Sequence, residues 1–323
     1  MLIDTSFIQN LSRLGSRNVF GTALKEIEPS RPNLKAVVAD VMTSAKLTEF
    51  YEQAPQKLIN VGIAEQNMIG IAAGLACEGY NVFAATFAPF ASMRCFEMIR
   101  SLLGYMNLNV KVVGLLSGLT GAYFGNTHYG LEDLALLRTV PGMTVLSPAD
   151  GLETYKAVIA AADINGPCYI RLTGDRGMPV IYKEDFDYKI GKANLLAEGT
   201  DIAIIGTGSI LNEAVRASRG LKKNGFSVTI VDMHTIKPLD TLLLDDILSN
   251  HRMIVTIEEH TVVGGLGSAV AEYKASKKNA PPLLMLGLPD VFPKAGSPNF
   301  ILNKYGLTAP QIAEKITEAY KNL

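Results

Sequence analysis

The informative segment for chemistry is LINVGIAEQNMIGIAAGLACEGY (58–80), which carries the carboxylate Glu65. A strand end runs through Gly62 into a helix with Glu65 at its start. Gly70, Ala73, Gly74 and Ala76 are small enough to let another backbone approach that helix closely. A carboxylate at a helix start stays ionised and interacts with the helix dipole, worth roughly a few tenths of a kcal/mol and nothing more on spacing alone. Two glycine clusters suggest a nucleotide, GTGSIL (206–211) and GGLGSA (264–269), but neither completes GxGxxG, because Leu211 and Ala269 sit around the third glycine's place. Tight packing at a strand-to-helix turn is the simpler account of both. The four histidines (His128, His234, His251, His260) show no HExxH or paired spacing, so a metal site built by this chain alone is not expected. No GxSxG and no GKS or GKT occurs, which removes the commonest serine-hydrolase and P-loop chemistries.

The elements that must position these residues follow from pattern and composition. The candidate strands are 34–40, 81–87, 109–116, 143–148, 168–173, 201–208, 227–233, 253–259 and 283–289, most of them continuously apolar, as strands covered by helices on both faces are. Helical stretches such as 152–164 and 210–225 lie between them, which predicts an α/β fold with two domains and mainly parallel sheets. The charged, glycine-bearing stretch 177–200 breaks the alternation. It places a linker near 179–191, between a first domain over 1–180 and a second over 192–323. The spacing of Ile312, Ile316 and Tyr320 predicts a docked terminal helix.

The chain has 323 residues, 30 Lys+Arg against 31 Asp+Glu, and a net charge of −1, which argues against nucleic acid or an anionic membrane as partner. With 48% apolar and 19% charged residues it is a well-buried globular chain. Cys77, Cys95 and Cys168 lack CxxC spacing and suit a reducing compartment. MLIDTSFIQN has no basic start followed by an apolar core, and the apolar run 68–77 is about half of a membrane span. A soluble, cytoplasmic protein is expected.

Four segments then carry a resemblance: VGIAEQNMIGIAAGLA (61–76), ATFAPF (85–90), NTHYGLEDLALLRTVPGMTVLSPAD (126–150) and TIEEHTVVGGLGSAVAE (256–272). In this order they resemble the transketolase family, more narrowly the C-terminal subunit of split transketolases, over essentially the whole chain. The resemblance implies a pyrimidine-binding domain followed by a transketolase C-terminal domain, with thiamine diphosphate as cofactor. Glu65 matches the glutamate that hydrogen-bonds a ring nitrogen of the thiamine pyrimidine and favours the imino tautomer of the neighbouring amine. Phe87 and Phe90 match aromatics packed around that ring, and Met93 stands where many transketolases carry a third aromatic. Asp40 matches an aspartate near the cofactor and subunit interface. Arg13, Ser44 and Arg171 match the sugar-phosphate pocket, where guanidinium forks and a hydroxyl suit a tetrahedral dianion. His128 matches a histidine that contacts the reacting sugar.

Departures from the family pattern bear on substrate and partner. The family usually has an acidic residue four positions before that histidine, where this chain has Phe124, and a second histidine twelve positions before it is replaced by Leu116. An aromatic wall in place of a polar contact disfavours ordinary hydroxyl recognition and suits a sugar modified near that hydroxyl. No GDG occurs to hold magnesium and the cofactor diphosphate; GDRG at 174–177 is the only near match. A second polypeptide is therefore expected to carry the diphosphate-binding domain and the magnesium ligands, in a hetero-oligomer with two of each chain. Rival readings are a 2-oxo-acid dehydrogenase beta-type subunit, a deoxyxylulose-phosphate-synthase-like carboligase (disfavoured by Phe90 where an arginine is usual), and a non-catalytic subunit that keeps the fold.

Overall fold

The computed structural model describes residues 3–323. Twelve strands form two sheets: β1 (Leu34–Val38), β2 (Leu58–Asn60), β3 (Asn81–Phe87), β4 (Val110–Leu115), β5 (Thr144–Leu146), β6 (Cys168–Arg171), β7 (Asn194–Ala197), β8 (Ile202–Gly206), β9 (Val228–Asp232), β10 (Thr235–Lys237), β11 (Met253–Thr261) and β12 (Leu283–Leu288). The first sheet has the order β10-β5-β6-β4-β3-β1-β2, and the second β12-β11-β8-β9-β7. Every pairing is parallel except β10 with β5 and β7 with β9. Strand β4 is buried along its whole length, and β3 over all but its last residue, as strands sandwiched between helices must be. The expected α/β architecture of two domains is therefore present.

Helices cover the sheets through apolar faces and defined ends. The helix Glu65–Cys77 lays Met68, Ile69, Ala72 and Ala73 on the first sheet. Asp150 caps Gly151–Asp163 by accepting from Glu153 N–H at 2.9 Å. The terminal helix Ala309–Lys321 docks on Leu211–Lys223 through Ile312 and Ile316, and Tyr320 meets Phe226 edge-on at 5.0 Å. No helix among the described residues is long and apolar enough to cross a membrane.

The two halves are stitched together. Strand β10 lies in the second half of the sequence yet extends the first sheet. The stretch expected to be a linker is packed as well: Tyr182 stacks on Phe186 at 4.0 Å, and Tyr188 on His234 at 4.2 Å. Parallel strands deliver their carboxyl ends to one side, so the residues just after β1, β3, β4, β6 and β8 converge where open α/β sheets place their ligands.

Candidate active site

Glu65 opens the helix Glu65–Cys77 after a turn that Asn60 holds in place. The Asn60 side-chain oxygen accepts from Asp40 N–H at 3.0 Å and from Gly62 N–H at 3.1 Å. Asp40 itself is exposed at the end of β1, with its backbone in the left-handed region at φ 58°. Glu65 is only 4% exposed, and its Oε1 forms an ion pair with Arg94 Nη1 at 2.7 Å. Burial, followed by the nearby Glu65 charge, pushes the Cys95 thiol up to about 12.

Arg94 connects this carboxylate to an aromatic cluster. Its guanidinium lies 4.3 Å from the centre of the Phe90 ring. Phe90 meets Phe87 at 6.1 Å and His128 at 5.3 Å; His128 also meets Phe87 at 5.9 Å and Phe124 at 5.2 Å. Phe90–Arg94 is a π-helical turn, a local widening frequent at functional sites. The structure thus links Glu65 through Arg94, which the sequence reading did not single out, to Phe90, and Phe87 and His128 pack against Phe90. Met93 lies on the same turn and is 40% exposed.

Beside the aromatic cluster a cavity of about 730 Å³ opens along the domain border, within the size range of small-molecule sites. Ser44, Phe87, Leu116 and Phe124 line it from the first domain, Ser209 and Glu259 from the second. Phe124 is 63% exposed and forms an apolar wall beside His128. Leu116 follows β4 at φ 54°, a strained conformation for a bulky side chain that is typical of ligand clefts.

The arginines fall differently from expectation. Arg13 is exposed at the end of helix Thr5–Leu14 and does not line the cavity. Arg17, in the next helix (Ser16–Ile27) after the break at Gly15, does: its Nη1 donates to the Ser44 carbonyl at 3.3 Å and its Nη2 reaches Asp175 at 3.5 Å. Arg171 must be removed from the pocket altogether. It is 0% exposed on β6, an inner strand, and both Asp133 carboxylate oxygens accept from its Nε at 3.0 and 3.1 Å. Its Nη2 donates to the carbonyls of Gly130 at 2.9 Å and Glu259 at 2.8 Å. A strand-end position suggested a ligand contact, but the side chain turns inward to bind one domain to the other.

The TIEEH segment completes that junction. The Glu258 carboxylate accepts from Leu266 N–H at 2.7 Å and Gly267 N–H at 2.8 Å, closing the start of the helix Leu266–Ala275 from within. A Cβ on Gly265 would lie 1.9 Å from that carboxylate, so this glycine serves the cap and packing rather than a nucleotide. Burial pushes His260 down to about 4 and keeps it neutral; its Nε2 accepts from Ala135 N–H at 3.3 Å while Nδ1 lies 2.7 Å from the Thr261 carbonyl. Among the described residues no cluster of three His, Cys, Asp or Glu is arranged to hold a metal ion.

With this geometry established, the relatives can be compared. The family description "Transketolase, pyrimidine binding domain" matches residues 13–176, and "Transketolase, C-terminal domain" matches 191–312. The chain is 37% identical over 306 residues to the 6-deoxy-6-sulfo-D-fructose transketolase subunit SqwH of Clostridium sp., covering 94% of each protein. It is 35% identical over 309 residues to an apulose-4-phosphate transketolase subunit of Phocaeicola vulgatus, covering 95% of this chain and 98% of that one. Among solved structures, a split gene transketolase described as an inactive beta4 tetramer superposes with a TM-score of 0.88 at 39% identity, covering 95% of this chain and 99% of the other. Buried Glu65, its aromatic neighbours and both matched domains lead to one conclusion: the chain belongs to the transketolase family, and to its split, C-terminal-section type.

Proposed function

We propose that this chain is the C-terminal subunit of a two-chain, thiamine-diphosphate-dependent transketolase that moves a two-carbon ketol unit between phosphorylated or similarly anionic sugars. The observation that carries this reading is Glu65, a carboxylate buried at a helix start and joined through Arg94 to the face of Phe90. A thiamine pyrimidine needs a carboxyl group at one ring nitrogen and aromatic side chains around it, and Glu65 with Phe87 and Phe90 fits that need. Bound thiamine diphosphate supplies the carbon nucleophile for such a transfer. The chain's own part is to hold a proton between Glu65 and the ring nitrogen, to pack the ring with Phe87, Phe90 and Met93, and to present His128 to the sugar. Asp40, at the exposed end of β1, is assigned to the cofactor edge that faces the partner.

Ser44 and Arg17 beside the cavity suit the anionic end of the sugar, and Arg13 remains a candidate for its entry. The apolar wall of Phe124 and Leu116 suits a sugar modified near the reacting carbons. The two relatives named for sulfofructose and apulose phosphate support this substrate class over the 2-oxo-acid dehydrogenase alternative. The diphosphate and magnesium sites are assigned to an N-terminal partner subunit, because no GDG occurs in this sequence. We assign two copies of each chain to the assembly, and the free thiols of Cys77, Cys95 and Cys168 suit the cytoplasm.

The test is Glu65→Gln in the chain assembled with its partner. Turnover is expected to fall at least about a hundredfold while co-elution persists. Near-normal turnover favours the non-catalytic reading instead.

A further inference from the structure

The GTGSIL cluster is absorbed by neither the cofactor nor the first-domain pocket. The glycine after Thr207 has φ 69°, and a Cβ there would lie 3.0 Å from Thr173 Oγ1 and 3.1 Å from Ser147 Oγ, both in the first domain. Glycine here lets the second domain's loop press onto the first sheet. Three hydrogen bonds then hold the loop: Gly208 N–H to the Ser147 carbonyl at 3.1 Å, Ser209 N–H to Thr173 Oγ1 at 3.0 Å, and Thr207 Oγ1 to the Ser147 carbonyl at 3.2 Å. The consequence is positional: Ser209 and Asn212 reach the domain-border cavity, which Arg17, Ser44 and Phe87 line from the first domain.

The polarity of this loop is also set. Ser209 Oγ donates to Glu259 at 2.9 Å, and Glu259 accepts in addition from Leu119 N–H. With its proton committed, Ser209 presents lone pairs and can only accept from a ligand hydroxyl. Asn212 spends one amide hydrogen on a long 3.4 Å contact to Glu213, which leaves its carbonyl oxygen and the other hydrogen for a ligand.

We propose that Ser209 and Asn212 determine substrate specificity, reading the hydroxyl-bearing distal part of the sugar, with Glu259 as the positioning residue that orients Ser209. The proposal rests on the ketol-transfer reading and deepens it, since it makes the second domain a selector of chain length rather than only a packing unit. A donor long enough to span the cavity meets the loop, whereas a three-carbon donor reacting near His128 does not. The loop is fixed in advance by bonds from the first domain, so little ordering cost accompanies binding.

The experiment compares the wild-type pair with pairs carrying Asn212→Ala and Ser209→Ala, assaying D-fructose 6-phosphate against hydroxypyruvate as donors. Alanine suits the first turn of a helix, so Asn212→Ala is expected to fold. The selectivity ratio, kcat/KM for the sugar phosphate over that for hydroxypyruvate, is expected to fall roughly five- to tenfold in each variant. Equal effects on both donors, or none, overturn the proposal. A second arm keeps the two readings separable: fructose 6-phosphate should raise the melting temperature of the wild-type assembly and raise it less in Asn212→Ala. Failure of the wild-type pair with hydroxypyruvate, which lacks the hydroxyl region the Phe124 wall would discriminate, defeats the ketol-transfer reading by itself. The melting shift then decides on the loop, since an equal shift in both proteins, or no shift in either, rejects it.

Discussion

Arg94 pairs with the Glu65 carboxylate and lies over the face of Phe90, the two contacts that the proposed reading gives to a pyrimidine ring. On that reading the ring enters only if the guanidinium gives way. Arg94→Gln in the assembled pair should therefore bind thiamine diphosphate about three- to fivefold more tightly, the scale of a partly exposed ion pair. Calorimetric titration reads this directly, and unchanged or weaker binding shows that Arg94 does not compete with the cofactor. Glu65, Phe87, Phe90 and His128 were legible in the sequence because they lie in contiguous motifs. Arg94 and Arg17 were not, since a π-helical turn directs the first and tertiary approach to Ser44 selects the second. Arg171 misled for the same reason: a strand-end arginine looks identical in sequence whether it turns outward to a ligand or inward to Asp133.

Two buried polar junctions join elements across the domain border, and they behave oppositely. At the first, Arg171 is held through Nε by Asp133 and through Nη2 by two carbonyls, so Arg171→Met should cost about 3–5 kcal/mol by stranding the buried carboxylate. Urea unfolding measures this; an unchanged midpoint together with a raised KM returns Arg171 to the pocket. At the second, Glu153 in the helix Gly151–Asp163 and Asp232 at the end of β9 meet around Tyr182, with no cation among their hydrogen-bond partners. Tyr182 donates to Asp232 Oδ2 at 2.6 Å, while the buried Asp232 Oδ1 has no protein donor. Neighbouring Asp150 is satisfied by the amides of Glu153, Ile181 and Tyr182, and burial pushes His234 down to about 4, so neither supplies positive charge at neutral pH. Burial raises Asp232 to about 7, and burial with the Asp232 charge raises Glu153 well above the usual carboxylate range. The folded chain thus holds a proton that the unfolded chain releases near pH 4, so stability is full below pH 4 and erodes as pH rises through about 7. Asn at 232 copies the protonated acid. Asp232→Asn should flatten that slope in thermal melts from pH 5 to 8.5 and raise the melting temperature at pH 8 by about 2–4 °C. A variant that keeps the wild-type slope assigns the proton elsewhere.

At the scale of the whole molecule, long apolar strands made the α/β plan readable: nine of the twelve were anticipated as full strands, and β2 only as a strand end before Gly62. The two that were missed, β7 and β10, are only four and three residues long, and β10 finds its partner in the opposite domain, which no local pattern announces. The same stitching explains why the expected linker is packed: Tyr182 and Tyr188 are part of the junction, not of a tether. On the proposed reading this chain supplies one part of a catalytic site, Glu65 and the aromatic cluster, and a second chain supplies the diphosphate grip. The most direct measurement is ketol transfer in the presence of thiamine diphosphate and magnesium by this chain alone, by its N-terminal partner alone, and by the two mixed. Turnover by the mixture and by neither component is the predicted result. Comparable turnover by this chain unaided contradicts the account.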